Sequence, residues 1–215
     1  MAVDGIIFDM DGTVWDTVTD VAECWNYGLE KHGQEIRVTA NEIAGCMGLA
    51  MEKFAAKLLP TITDEDLRRE ILYTSVGYEN EYLEVNATEE KTLYPKVLDT
   101  MRALSEKYPL YIVSNCQAGY IEAFLKRFDF ADYIVDFENP MRTGFEKGAN
   151  IKIICERHEL KNPVYIGDTQ GDMQACKEAG VRFVFAAYGF GEVDSADYDA
   201  RLEKFEDLPE LLADL

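Results

Sequence analysis

Two textures of hydrophobic and polar positions alternate along this chain. Short apolar runs rich in Ile, Val, Tyr and Phe stand at residues 5–8, 110–114, 133–137, 164–167 and 183–187. Each is apolar on both faces, as strands buried in a parallel sheet must be. From the second run onward, amphipathic stretches at 119–128, 149–159 and 171–179 separate them with helical spacing. This strand–helix–strand alternation predicts an α/β fold, a doubly wound parallel sheet with right-handed crossovers and helices on both faces.

One interval breaks the rhythm. About a hundred residues lie between the first apolar run and the second, far more than the dozen or so that a crossover requires. Helical signals fill it. An amphipathic stretch at 18–32 stops at Gly33, a C-terminal stop signal. Thr39-Ala-Asn-Glu42 has the form of a capping box and starts a short helix that ends near Gly45. A third helix, 51–59, stops before Pro60, and Thr63-Asp-Glu-Asp66 caps a longer one running towards Asn86. A further helix over roughly 96–107 follows Pro95 and leads back into the sheet. Residues 16–86 therefore read as an inserted α-helical cap, and residues 1–15 with 87–215 as the α/β core. The Asp- and Glu-rich stretch after Gly191 reads as a solvated face carrying a last short helix near 208–212.

Composition narrows the class. With 47% hydrophobic and 12% aromatic residues among 215, the chain can bury a substantial core. Lys and Arg number 21 against 41 Asp and Glu, a formal net charge of −20. So acidic a surface repels phosphate backbones and anionic headgroups, which argues against nucleic-acid and membrane partners. No apolar stretch reaches the roughly 20 residues of a membrane helix, and the first residues lack the pattern of a signal peptide. Five cysteines (Cys24, Cys46, Cys116, Cys155 and Cys176) form no C-x-x-C pair, a pattern that suits reduced thiols in a cytoplasmic protein. In that setting the glycosylation pattern Asn86-Ala-Thr88 is a chance match. His32 and His158 read as isolated surface residues, and two histidines exclude a His-rich zinc site. Nucleotide-loop and serine-hydrolase motifs are missing.

In an open parallel sheet, ligands bind at the carboxyl ends of the strands, and the polar residues there converge on one chemistry. Asp9-Met-Asp11-Gly-Thr13 follows the first strand, Ser114 and Asn115 the second, and Gly167-Asp168-Thr-Gln-Gly-Asp172 the fourth. Lys147 precedes the helix after the third. Crowded carboxylates repel one another, and a hard cation relieves them: Mg²⁺ takes carboxylates, a carbonyl, waters and substrate phosphate. Asp9 and Asp168 are candidate direct ligands. Asp172, one helical turn beyond Asp168, either ligates or holds a metal-bound water. Lys147, a point cation, suits phosphoryl oxygens, and Ser114 and Asn115 offer a hydroxyl and backbone N–H groups to an anion.

These stretches resemble the four motifs of the haloacid-dehalogenase-like phosphatases. Ile7-Phe-Asp-Met-Asp-Gly-Thr-Val14 is similar to the first, Ile112-Val-Ser-Asn115 to the second, Lys147 to the third and Ile166-Gly-Asp-Thr-Gln-Gly-Asp172 to the fourth. They stand in the family's order across nearly the whole chain, and the helical insertion resembles the small cap of the phosphoglycolate-phosphatase and β-phosphoglucomutase branch. The resemblance implies that Asp9 attacks phosphorus and becomes an aspartyl phosphate. Asp11 protonates the leaving alkoxide and then takes a proton from water. Mg²⁺ is held by Asp9, Asp168 and the backbone carbonyl of Asp11, with Asp172 beside them. Ser114 and Lys147 bind the phosphoryl oxygens, and Thr13 orients Asp11. Two departures stand out. Gly148 follows Lys147 where the family usually has Pro, which leaves Lys152 as a substitute, and Lys96 occupies the usual Gly of the turn before the second strand.

The expected activity is Mg²⁺-dependent hydrolysis of a small phosphorylated metabolite, a soluble phosphomonoester. The cap excludes water and holds the rest of the substrate, with residues 44–51 as its specificity loop. A sugar-phosphate mutase is the nearest rival. Mutase relatives place an Arg in this loop and a His about a dozen residues past the nucleophile, whereas Gly45-Cys-Met-Gly-Leu49 has no Arg and the His position falls near Val21. A dehalogenase has no need of Asp11 as an acid. A phospho-accepting signalling module also gathers acids and a Lys around Mg²⁺, but lacks D-x-D-G-T and a large insertion. Trp15 and Trp25 read as core or cap-interface residues, Arg142 and Thr143 as surface positions, and Cys116 as a small packed residue.

Overall fold

The computed structural model describes residues 2–215. Six parallel strands form one sheet in the order β3-β2-β1-β4-β5-β6. The strands are β1 (Ile6–Phe8), β2 (Leu110–Val113), β3 (Asp136–Glu138), β4 (Val164–Gly167), β5 (Arg182–Ala186) and β6 (Ala200–Leu202). Phe8 stands in register with Ile112 on one side and Ile166 on the other, so the chain leaves β1, β2 and β4 at nearly one level. The order reverses between β1 and β4, which is where a doubly wound sheet opens a crevice for ligands.

Before the sheet is completed, the chain builds α1 (Val18–Lys31), α2 (Ala40–Ala44), α3 (Met51–Leu58), α4 (Glu65–Asn86) and α5 (Glu89–Thr92). The rest of the helices are α6 (Val97–Ser105), α7 (Tyr120–Arg127), α8 (Pro140–Thr143), α9 (Lys147–Arg157), α10 (Gln170–Ala179) and α11 (Leu208–Ala213). Thr39 and Glu42 make the anticipated capping box at α2, and Asp64 caps α4 through the N–H groups of Asp66 and Leu67.

Alternation along the strands sends side chains to two layers. Ile6, Phe8, Ile112 and Ile166 pack with Leu98 and Met101 of α6, Phe124 of α7 and Leu208 of α11. Ile7, Tyr111 and Tyr165 pack on the opposite face with Ile151 of α9 and Met173 of α10. Ile6, Ile7 and Phe8 are completely buried, each contributing about 1.5–3 kcal/mol of transfer free energy. A third apolar cluster lies apart from these: Val21, Trp25 and Leu29 of α1 meet Phe54 of α3 and Ile71 and Val76 of α4. The far end of α4 rests on α7, and Leu83 joins the sheet-side cluster there.

The structure corrects several sequence expectations. β3 lies at Asp136–Glu138 rather than 133–137, because residues 131–133 wind into a 3₁₀ turn. The stretch after Gly191 is not solvated throughout: Ala200–Leu202 adds β6 beside β5, burying Leu202. α5 and α8, of four residues each, carry too few positions to show periodicity. The histidines are not isolated. His158 Nε2 lies 2.9 Å from Asp136 and its ring packs on Tyr111, while His32 Nε2 pairs with Thr74 Oγ1 at 2.8 Å. Among the described residues, no helix is long and apolar enough to cross a membrane, and the five cysteines are free thiols.

Candidate active site

The first-strand loop turns sharply after Asp9. Gly12 takes φ +79°, and a β-carbon there would fall 2.1 Å from Asp168 Oδ2, so this position tolerates only glycine. The turn lays Asp9 beside Asp168 across the switch point. Asp9, Asp168 and Asp172 are buried, and one carboxylate oxygen from each lies within 4.8 Å of the others.

Lys147, the first residue of α9, is the counter-charge. It is 4% exposed, and its Nζ lies 3.1 Å from Asp9 Oδ2 and donates to Asp172 Oδ1 at 2.5 Å. Lys152, the possible substitute, is exposed. Gly148 answers for the missing Pro. A side chain there would run into Glu178 Oε2 at 2.9 Å and the Ala175 carbonyl at 3.2 Å, so glycine lets α9 approach α10 and brings Lys147 inward.

The four charges are not used alike. Asp172 Oδ2 accepts from Asp168 N–H, Thr169 N–H and Thr169 Oγ1, and its Oδ1 accepts from Lys147, so both oxygens are engaged. Asp168 Oδ2 accepts from Phe190 N–H at 2.7 Å. Asp9 Oδ1 and Asp168 Oδ1 are buried without a partner. Burial, then the repulsion of Asp172, pushes the Asp9 carboxyl up to about 7 against the pull of Lys147, Met10 N–H and the Ser114 hydroxyl. Burial and the neighbouring Asp172 and Asp9 raise Asp168 well above the ordinary carboxylate range. Burial alone would discharge Lys147, but Asp172 and Asp9 together overcome it and raise its pKa. Ionised together, the three carboxylates would outnumber the one ammonium by two negative charges. That balance, with one oxygen from each of the three carboxylates within 4.8 Å of the others and Asp9 Oδ1 and Asp168 Oδ1 unpartnered, is the donor set a single hard divalent cation satisfies.

Asp11 is bound by two hydroxyls. Its Oδ1 accepts from Tyr120 Oη at 2.6 Å and from Thr17 Oγ1 at 3.0 Å, and those two hydroxyls lie 2.8 Å apart. Burial lifts its pKa to about 6, moderated by the same two hydroxyls. This corrects the expectation that Thr13 orients Asp11. Thr13 is buried, its Oγ1 makes no hydrogen bond, and its carbonyl accepts from Tyr188 Oη at 2.9 Å. Ser114 is buried at the end of β2 beside Asp9. Asn115 has another task, donating through Nδ2 to the Gly48 carbonyl at 2.8 Å and tying loop 44–51 to the sheet.

Asp9, Asp11, Ser114 and Asn115 line a cleft between the sheet ends and α1, α3 and α4. Val21, Trp25, Met47, Leu49, Met51 and Phe54 give it an apolar wall. Trp15 instead lies in the core, edge-on to Tyr120 and Phe124, and Cys116 is buried with its thiol pKa raised by burial. Arg142 is exposed, and its Nη1 donates to the Phe137 carbonyl at 2.7 Å.

The model of the haloacid dehalogenase-like hydrolases matches residues 6–186. A phosphoglycolate phosphatase from Photobacterium profundum is 24% identical over 213 residues, 94% of this chain and 93% of that protein. One from Escherichia coli O157:H7 is 27% identical over 230 aligned positions, covering 95% and 90%. Among solved structures, a "predicted phosphoglycolate phosphatase" from Haemophilus somnus superposes with a TM-score of 0.84 at 21% identity, covering 97% of each chain. A haloacid dehalogenase-like hydrolase from Streptococcus pneumoniae gives 0.80 at 23% identity, covering 97% and 98%.

Proposed function

From the fact that this chain belongs to the haloacid dehalogenase-like hydrolase family, we propose that it is a phosphatase acting on a small phosphomonoester through an aspartyl phosphate at Asp9. The observation that carries this reading is the buried group of Asp9, Asp168, Asp172 and Lys147 with Asp11 lining the same cleft as Asp9. Residues 16–86 serve as the cap, and residues 1–15 with 87–215 as the core.

Mg²⁺ fits the uncompensated charge and the two orphaned oxygens. Asp9, Asp168 and the backbone carbonyl of Asp11 would hold it, with Asp172 fixing Lys147 and the Asp168 loop. When bound, it supplies Lewis-acid stabilisation of charge on the phosphoryl oxygens. The chain's own groups do the rest. A carboxylate oxygen of Asp9 attacks phosphorus while the ester oxygen leaves with a proton from Asp11. Water then attacks the phosphorus of the aspartyl phosphate, Asp11 takes its proton, and Asp9 is released with inorganic phosphate. Lys147 and Ser114 neutralise and orient the phosphoryl oxygens from a site that needs no rearrangement. The apolar wall excludes bulk water, and the Asn115–Gly48 bond holds loop 44–51 over the site.

The test is the release of nitrophenol from p-nitrophenyl phosphate. Turnover is expected with Mg²⁺, lost in EDTA, and abolished by Asp9→Asn. Label retained from acetyl phosphate without ester hydrolysis would mark a phospho-accepting module instead. Interconversion of sugar phosphates without release of phosphate would mark a mutase. The names of the relatives place 2-phosphoglycolate in the panel of esters to be tried next.

A further inference from the structure

Asp168 is wholly buried, and its two oxygens have different surroundings: Oδ2 accepts from Phe190 N–H at 2.7 Å, whereas Oδ1 has no partner. The donor comes from the loop that follows β5. Gly167 stands in register with Phe185, so the chain leaves β4 and β5 side by side. After β5 it turns back at once, Gly189 N–H donating to the Ala186 carbonyl at 3.1 Å. Tyr188 Oη fastens the same loop to the one after β1, through the Thr13 carbonyl at 2.9 Å. Residues 188–191 thus reach both loops that carry the carboxylates of Asp9 and Asp168.

Glycine makes so close an approach possible. A β-carbon at Gly189 would fall 2.3 Å from the Gly12 carbonyl oxygen and 2.6 Å from Asp168 Oδ2. One at Gly191 would fall 2.4 Å from the Asp168 carbonyl oxygen. Two of these three atoms belong to the backbone and cannot step aside as the end of a flexible side chain can. Gly12 meets the same Oδ2 from the first loop, so bare backbone lies against that oxygen from two sides. A hydrogen bond to an ionised carboxylate is short and strong, and this one commits Oδ2 and fixes the direction of Oδ1.

Resting on the phosphatase reading and its Mg²⁺ site, we infer that residues 188–191 are the positioning element of that site: Phe190 N–H takes Oδ2 of Asp168, and glycine at 189 lets the loop come close enough to do so, leaving Oδ1 alone for the cation. Gly189 and Phe190 are positioning residues. They act on metal affinity through Asp168, as outer hydrogen bonds to metal ligands do.

The test titrates metal-free protein with Mn²⁺ and follows the free ion by electron paramagnetic resonance. Gly189→Ala should raise Kd by at least about tenfold, the scale on which outer partners of metal ligands act. Saturating Mn²⁺ should then restore most of its release of nitrophenol from p-nitrophenyl phosphate. Gly180→Ala is the control. Gly180 ends α10 at φ +71° with nothing within 4 Å of an added carbon, so this change strains the fold and should leave Kd unmoved. A wild-type Kd in Gly189→Ala, activity that saturating Mn²⁺ does not restore, or an equal loss of affinity in the control overturns the inference. If Gly189→Ala fails to fold, the wild-type crystal structure with Mn²⁺ decides. An ion on Oδ1 with Phe190 N–H still on Oδ2 is expected, and an ion on Oδ2, or on both oxygens, contradicts it. Wild-type protein that binds Mn²⁺ and releases nitrophenol through Asp9, with no effect at position 189, defeats only the role of the loop. Wild-type protein that does neither defeats the phosphatase reading as well.

Discussion

Asp11 is held by two hydroxyls on the same oxygen, from Tyr120 and Thr17. Its position is therefore set by a side chain 109 residues away in sequence. Tyr120→Phe removes one of the two bonds and keeps the ring packing against Trp15. In the proposed mechanism Asp11 is the proton donor, and a donor that drifts by a fraction of an ångström loses much of its effect, so kcat should fall by about tenfold or more with KM little changed, as read by steady-state kinetics. Glu79, which lines the cleft from α4, yields a second prediction. Burial pushes its carboxyl to about 8 from an ordinary 4.5, and the titratable groups facing it are Asp11, Tyr120 and Cys24. Between those two values the folded chain keeps a proton that the unfolded chain has released, so stability falls as pH rises through the window. Glu79→Gln carries no such proton, and its stability relative to the wild type should rise from about pH 5 to about pH 8.5 in thermal melts; a gap independent of pH would refute the shift. Asp9, Asp11, Asp168 and Lys147 were legible in the sequence because each stands at the end of an unmistakable apolar run or opens the helix after one. Tyr120 and Thr17 were not, since each is ordinary in its own segment and gains meaning only when α7 and the first loop pack together.

Elements were read correctly where they were long. The interiors of α1, α4, α7 and α10 show their apolar stripes in the sequence, and β1, β2 and β4 are apolar on both faces because helices cover both sides of the sheet. β6 escaped notice because Ala200-Arg-Leu202 is three residues long and lies at an edge, where alternation cannot develop and a charge is welcome. β3 was misplaced because the aromatic and aliphatic residues before it serve a 3₁₀ turn packed on Phe130 rather than a strand. The turn into α6 carries a consequence for stability. Lys96 caps that helix at φ 65°, ψ 11°, a left-handed conformation that costs a side-chain-bearing residue about 1–2 kcal/mol. Lys96→Gly should raise the unfolding free energy by up to about 1 kcal/mol, part of the gain being returned to the more flexible unfolded chain. Urea denaturation with an unchanged m value would show it, and a lower midpoint would contradict it.

Across the whole molecule, a net charge of −20 and a buried knot of three carboxylates pose the same electrostatic problem at two scales. The proposed substrate, a dianionic phosphate ester, would approach an acidic surface, so attraction has to be concentrated at the site. Lys147 supplies one positive charge there, and Asp9 and Asp168 each keep a buried oxygen without a partner for a divalent cation to engage. The sheet order makes this possible by bringing β1 and β4 side by side although their sequences lie more than 150 positions apart. In the proposed reaction, the apolar wall of the cleft would select the ester that stays long enough to react. The most direct measurement is a crystal structure grown with Mn²⁺ as an anomalous stand-in for Mg²⁺. One anomalous peak bonded to Oδ1 of both Asp9 and Asp168, and lost in Asp168→Asn, is the expected result. An ion bound elsewhere, or those two oxygens left bare at saturating Mn²⁺, would contradict the arrangement from which the chemistry was derived.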